Sequence, residues 1–563
     1  MASKTNLIKR SANITLLILI IEIAWSLGTP LFSGPDEPTQ AIKAASVARL
    51  ELAIHPVSTS SGPYTRVVVP KIFTQSANMP LCYMFNPAQS ANCEGPFPPL
   101  TSPSLSKASS ASSASSVLDA NALVTTQTYV GRYPPLYYLL VSWPARYFHS
   151  PFGFYLIRIM SDLVSSIVLG VALALALELD TLDKPPSKSY LYFGGLLAMT
   201  PALEYSSSVI NPNGLEAAAG LGLWICLIGM KRCHEHKATP NVLVRQFIFF
   251  ATICACVETL MRGLSPLWVF ITCAIGCLYY GWSLICKLAR IRYVRICSAF
   301  VFFANILSSI YIVWAKTLHI AGAKCIHNCP TFIENAHKSF GKTWLDIHQL
   351  IGTVGWIDLI NNKLASDTSI PDICFWLLFG SIAILGLLFL WNRKPNRPAL
   401  LSPAHNTLIP PNKTASSLNE KFAFLLLIAS VIFLPVVLEA SQANNYGFIW
   451  QGRYVLPIAL GIPIIALSYL DDNPRLRTFI QFIASTDLIV IVISYYAIIR
   501  RYSVGIHGPI WFFRSSGWSP PVSSVTLILV FTIANLFLYK SVIFTPSPRS
   551  ASDTALAPAS FGR

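Results

Sequence analysis

The sequence predicts an all-α polytopic membrane protein with about twelve transmembrane helices and two large outer loops. Three observations predict it. Charged residues make up only 12% of the 563 residues, roughly half the ~25% of a soluble protein. Hydrophobic residues reach 53%, and the mean hydropathy is +0.54. Apolar runs long enough to cross a bilayer, about 20 residues each, recur along the chain. This composition excludes a soluble enzyme, a disordered scaffold and a small secreted protein held by disulfides.

The elements follow in order. Lys4, Lys9 and Arg10 precede an apolar run from Asn13 through Trp25 to Phe32. Gly34-Pro35-Asp36 lacks a small-x-small cleavage signature, so residues 1–32 read as a tail and an uncleaved first helix. Residues 33–153 hold no full-length span and form the first outer loop, closed by an aromatic interfacial helix. Within it, Thr101–Ser116 is a low-complexity Ser/Ala insert. Residues 154–317 supply helices 2–7, at 154–178, 190–209, 210–230, 246–261, 264–286 and 296–317. Residues 318–372 are the second outer loop. Residues 373–541 supply helices 8–12, at 373–391, 421–439, 453–470, 476–499 and 521–541, with a basic, proline-rich cytoplasmic linker at 392–420. Residues 542–563 read as a disordered cytoplasmic tail.

The net charge of +16 tests this layout. Over half of the 41 basic residues fall in the tails and the short segments assigned to the cytoplasm. The long segment 33–153 holds only seven: Lys43, Arg49, Arg66, Lys71, Lys107, Arg132 and Arg146. That bias is the positive-inside pattern of a multi-pass protein of the cell membrane with both termini cytoplasmic. The partner it implies is the lipid bilayer, with no nucleic acid.

Of 13 cysteines, eight fall in expected spans and Cys233 in a cytoplasmic loop. The rest form two pairs, Cys82 with Cys93 and Cys325 with Cys329, one per outer loop, which points to two disulfides in an oxidising compartment. His319, Cys325, His327, Cys329 and His337 are an alternative as metal ligands, but their spacing matches no common zinc pattern and no metal site is assigned.

Five motifs carry chemistry. Gly34-Pro35-Asp36-Glu37-Pro38 places two carboxylates on a proline-stiffened turn just past the first helix, where Asp36 and Glu37 are candidate catalytic groups suited to general-base work. The alternative is a polar helix terminus with a turn. Arg132-Tyr133-Pro134-Pro135-Leu136-Tyr137-Tyr138 opens the interfacial helix, with Arg132 and Tyr133 as binding candidates against an ordinary aromatic belt. Asn211-Pro212-Asn213-Gly214-Leu215-Glu216 makes an outer turn that delivers Asn213 and Glu216 to the first turn of the next helix, where the helix dipole alone favours a carboxylate. Gln451-Gly452-Arg453-Tyr454 puts Gln451 and Arg453 at the outer lip of a span, placed for a phosphate or for interfacial snorkelling. Gly355-Trp356-Ile357-Asp358 is a weaker acid-bearing segment of the second loop.

Taken together, the acidic pair after helix one, the long outer loop and the Arg-x-Pro-Pro-Leu-Tyr-Tyr helix resemble the GT-C superfamily of polyprenyl-phosphate-sugar-dependent glycosyltransferases. A closer resemblance is to a bacterial membrane protein family, common in actinobacteria and labelled a domain of unknown function. It shows Pro-Asp-Glu-Pro, Asn-Pro-Asn-Gly-Leu-Glu, Gly-Trp-x-Asp and Gln-Gly-Arg-Tyr-x-x-Pro in this order, here at 35–38, 211–216, 355–358 and 451–457. The GT-C resemblance implies that Asp36 is the base or orients the acceptor, with Glu37 beside it. It implies a polyprenyl-phosphate-linked sugar as donor and an envelope glycan or protein as acceptor, with a divalent metal left open. The alternative is a transporter or flippase of a lipid-linked envelope precursor, which would use ionisable residues inside the spans such as Glu22, Asp162, Glu258 and Asp487.

Overall fold

A computed structural model describes residues 2–59, 62–94, 121–182, 187–188, 190–235, 240–318, 325, 328–360, 363–366, 368–391, 414–468, 470–471, 474–515 and 517–544. The Ser/Ala insert 101–116, residues 392–413 of the linker, His319 and His327, and the tail from 545 lie outside them.

The helical frame begins with α1 (Ala2–Gly28) and α2 (Glu37–Ala48), then α3 (Leu136–Val141) and α4 (Pro151–Leu182). Next come α5 (Leu191–Ala198), α6 (Pro201–Ser207), α7 (Pro212–Glu235), α8 (Asn241–Thr259), α9 (Ser265–Tyr280), α10 (Trp282–Ala289) and α11 (Arg292–Thr317). The second half holds α12 (Phe332–Phe340), α13 (Thr343–Ile351), α14 (Asp372–Trp391), α15 (Thr414–Tyr446), α16 (Leu456–Ala459), α17 (Gly461–Ala466), α18 (Pro474–Val504) and α19 (Ser524–Ile543). The chain is an all-α polytopic membrane protein. Among the described residues nine helices are long and apolar enough to cross a membrane, or up to ten if the pair α9–α10, bent by 110°, is one broken span rather than a re-entrant loop. The bend falls at Gly281, whose φ of +76° is open to glycine and strained for other residues.

The number of unbroken spans among the described residues is below twelve for a physical reason. Two expected spans, 190–209 and 453–470, are each a pair of short helices. Pro201 starts α6 and holds Thr200 extended at ψ 158°, while Pro457 and Pro463 sit in α16 and α17. Proline removes a backbone donor and pushes its predecessor out of the helical region. Broken backbone is tolerated at membrane depth only where protein covers it. Accordingly α5 is wholly buried, and α6 and α17 are buried but for one residue each, Ser206 and Ile462. α17 packs on α5, and the short strands β4 (Ser187–Lys188) and β7 (Leu470–Asp471) pair at their end of the bundle.

α7 is the central helix, packed against α4 and α8, while α1 lies along α4 and α19. The segment 33–153 carries an antiparallel sheet of β1 (Pro56–Thr59), β2 (Gly62–Pro70) and β3 (Leu123–Thr128), with Thr65 opposite Thr128. Val67 and Val69 are buried while Arg66 and Val68 face out, so one face packs on α2. The second loop folds into α12, α13 and the hairpin β5 (Ile357–Ile360) with β6 (Lys363–Ser366). Asp358 lies in β5. The structure joins Cys82 to Cys93 and Cys325 to Cys329.

Candidate functional site

The site forms where α1, α2, the α6–α7 turn and the start of α16 converge. Asp36 precedes α2 with a left-handed φ of 65°, and its side chain does not cap that helix. The carboxylate instead points outward. One oxygen accepts a hydrogen bond from the Tyr129 hydroxyl, and the other pairs with Arg453 Nη2 at 2.6 Å. Partial burial and the adjacent Asp36 charge push the Tyr129 phenol up, so it stays a donor.

Arg453 also donates from Nη1 to the Pro35 carbonyl at 3.3 Å, and Asn211 Nδ2 reaches the same oxygen at 3.0 Å. The acidic turn is therefore gripped from the fourth motif and the third at once. Gly452 makes the close approach possible: a Cβ there would lie 2.1 Å from the Asp346 carbonyl. Its N–H donates to Gln349 Oε1 on α13.

Glu37 goes the other way. It is fully buried and meets Arg158 of α4 in a bidentate pair, at 2.7 Å from Nε and 2.6 Å from Nη2. Gly34 N–H and Ile210 N–H each donate to it at 3.1 Å. Arg158 also donates to the carbonyls of Ser26, Thr29 and Pro30, the open C-terminal end of α1. Both Glu37 oxygens are consumed in holding the loop, so its place is beneath the site as a positioning group.

A second cluster adjoins the first through Tyr454. Arg262, in the turn between α8 and α9, stacks between the rings of Tyr133 and Tyr454, with its guanidinium carbon 5.5 and 4.5 Å from their centroids. Arg453 lies 5.4 Å from the Tyr454 centroid, so one ring separates two guanidiniums. Glu216 pairs with Arg262 at 3.7 Å and accepts from Ser265 at 2.6 Å. Arg132 makes no hydrogen bond or ion pair among the described residues and does not join the cluster. Asn213 follows Asn211, whose Oδ1 accepts its N–H at 3.1 Å.

Several buried polar atoms here have no partner among the described residues. They are both amide atoms of Asn213, Gln451 Oε1, Trp450 Nε1 and the Nε of Arg262 and Arg453. Each such atom costs about 1–3 kcal/mol when it is left without a partner. A divalent metal does not fit this site. Both Asp36 oxygens are engaged and a cation already stands beside them, and among the described residues no group of three His, Cys, Asp or Glu is set to hold a metal.

Sequence reasoning named Asp36, Asn213, Glu216, Gln451 and Arg453 but missed Arg158, Tyr129 and Arg262. Arg262 had a signal: it is a lone cation in a turn that the charge bias assigns to the outer side. Arg158 and Tyr129 had none, since their partners lie 121 and 93 residues away in the chain.

Two further acids lie near this face. Burial pushes Glu94 up to about 8, against the opposing hydrogen bond from Tyr83 and the charge of Arg158. Burial pushes Asp346 up to about 7, with Lys342 opposing and Glu439 adding to it.

A broken-helix membrane bundle with a polar site at one end, where Arg453 and Arg262 are paired with Asp36 and Glu216, is the class this fold and site define. The chain belongs to the family described as Predicted membrane protein (DUF2142), which matches residues 19–462. That match runs from within α1 to the start of α17 and includes every residue of the site. No curated protein and no solved structure matches the chain.

Proposed function

We propose that this chain is a membrane glycosyltransferase, moving a sugar from a polyprenyl-phosphate donor to a hydroxyl of an envelope glycan or protein. The site faces the outside of the cell membrane and both termini are cytoplasmic, as the distribution of basic residues indicates. The observation that carries the reading is Asp36 beside the unpartnered polar atoms of Arg453, Arg262, Gln451 and Asn213. The acceptor hydroxyl gives its proton to Asp36 as its oxygen bonds to the sugar's anomeric carbon. The bond from that carbon to the phosphate oxygen breaks, and its electron pair stays on the phosphate. Arg453 and Arg262 offset the charge that develops there. Tyr129 holds the carboxylate in position.

The test is transfer of radiolabelled sugar from polyprenyl-phosphate donors to membrane acceptor by the purified chain, comparing wild type with Asp36→Asn. Transfer by wild type and none by the folded variant is expected. Full activity in Asp36→Asn would overturn the role of Asp36.

One observation favours a transport reading instead. Glu22, Asp162, Glu204 and Asp487 are buried inside the bundle, and among the described residues none pairs with a cation. A flippase of a lipid-linked precursor would use such groups, and it would move labelled lipid across proteoliposomes without sugar transfer.

A further inference from the structure

Four carboxyl side chains lie inside the helical bundle, and the Asp36 site uses none of them. They are Glu22 of α1, Asp162 of α4, Glu204 of α6 and Asp487 of α18, and none is more than 2% exposed. Glu22 lies six residues before the end of α1, about 9 Å into the bundle at 1.5 Å per residue.

The register of α1 against α4 sets the first two acids side by side. The helices run antiparallel: a Cβ on Gly170 would collide with Thr15, and the Ser26 hydroxyl donates to Asp162 Oδ2 at 2.7 Å. Glu22 falls between these two crossings, level with Ser165 of α4. The Ser207 hydroxyl of α6 faces it. Both Glu22 oxygens, Asp162 Oδ1, Ser165 Oγ and Ser207 Oγ are buried and make no hydrogen bond among the described residues.

From Glu22 the acids continue across the bundle. Asp162 and Glu204 both lie within electrostatic reach of it. Glu204 accepts from Trp25 Nε1 at 2.9 Å and stands within reach of Asp487. Asp487 accepts from the Tyr539 hydroxyl of α19 at 2.6 Å. Tyr539 is within reach of Tyr192 at the start of α5. The Tyr192 and Leu191 N–H groups donate to Asp180 at 2.8 and 3.2 Å. Asp180 lies two residues before the end of α4, at the end of the bundle where β4 pairs with β7. At the opposite end the column meets the polar cleft, because Tyr205 and Ser206, between Glu204 and Ser207 on α6, line that cleft with Arg453.

No cation neutralises these acids. Arg158 acts on Asp162, but its guanidinium is bound to Glu37. Tyr495 of α18, the other titratable group beside this part of α1, donates to the Ala24 carbonyl at 2.7 Å. A buried carboxylate without a cation is costly, whereas a protonated carboxyl is neutral and is both donor and acceptor. Among the described residues no group of three acids is placed to hold a metal ion, so the occupant that fits them is a proton. Ionisable groups inside a membrane bundle mark ion and proton routes.

We propose that these residues form a proton path through the bundle. Glu22 takes up a proton from the cleft, and Glu204, Asp487 and Tyr539 pass it toward Asp180. Only O–H bonds are made and broken: the proton arrives from hydronium at one end and leaves to water at the other. The path rests on neither reading of the Asp36 site, since no residue of that site carries the proton.

The test places the full chain in proteoliposomes with a pH-sensitive dye inside, no sugar donor, and a potassium–valinomycin potential to drive protons inward. Acidification faster than in empty liposomes is expected. Glu22→Gln and Asp487→Asn should each slow it at least about tenfold, since one amide interrupts a line of protonatable groups. Glu22→Asp should restore part of the flux. Glu258→Gln, which changes a buried acid of α8 outside the column, should leave it unchanged. Infrared spectra of the purified chain supply a second readout: a protonated-carboxyl band should disappear in Glu22→Gln. Wild-type flux no greater than that of empty liposomes would overturn the path, and so would full flux in folded Glu22→Gln. Flux that requires sodium on the opposite side would overturn it in favour of cation exchange. Because no sugar donor is present, loss of the transferase reading leaves this result standing, and the two fail separately.

Discussion

Asp36 and Glu37 are neighbours of the same charge, yet they belong to two different regions of the molecule. Each meets an arginine at 2.6 Å. Glu37 and Arg158 are completely buried, whereas the Asp36 side chain is 21% exposed beside Arg453. The buried pair has its oxygens filled by backbone N–H groups and its cation spread over the carbonyls closing α1. The outer pair has free polar atoms around it. Identical chemistry therefore anchors the chain in one region and opens a site in the other, and what differs is how many further partners each group has.

The largest effect that breaks this comparison is Arg158→Met. It leaves Glu37 buried without its cation, and a loss of about 3–5 kcal/mol is expected. Thermal unfolding of the purified protein reads it out. The double variant Arg158→Met with Glu37→Met sharpens the point, because removing both charges should recover most of that loss. A double variant as unstable as the single would mean that the carbonyl contacts of Arg158 matter more than its pairing.

Asp36→Asn comes next. A partly exposed ion pair contributes about 0–1 kcal/mol, so unfolding should barely change while sugar transfer disappears. Tyr129→Phe removes one donor to Asp36 and should lower transfer without abolishing it, with stability within about 1 kcal/mol of wild type.

The smallest effect is a pH dependence. Asp346 holds its proton more tightly folded than unfolded, since burial raises it from the ordinary carboxyl value to about 7. Its contribution favours the folded state in full below about pH 4 and is lost as pH rises through about 7. Asp346→Asn should therefore match wild type at low pH and exceed it in melting temperature at about pH 8. Parallel melting curves at both pH values would remove Asp346 as the cause.

Much of this molecule could be read in the chain. Composition and apolar runs sufficed for the membrane class, because a span must be apolar wherever it packs. Motifs at 35–38, 211–216 and 451–457 marked segments that meet in space. The broken helices were also legible in part, since Pro201, Pro457 and Pro463 stand inside the expected spans. The role of Glu37 was not, because Asp36 and Glu37 share one motif and only their direction separates them.

The sequence by itself determined the solvent of this protein and several of the residues, Asp36, Asn213, Glu216, Gln451 and Arg453 among them, that gather at one end of its bundle. These are local properties, set by hydropathy and backbone chemistry within a few residues. Tertiary structure alone decided that Glu37 is buried by Arg158 and that Arg262 and Arg453 share the Tyr454 ring. Each of these depends on residues far apart in the chain approaching within a few ångströms, and no local pattern records such a meeting.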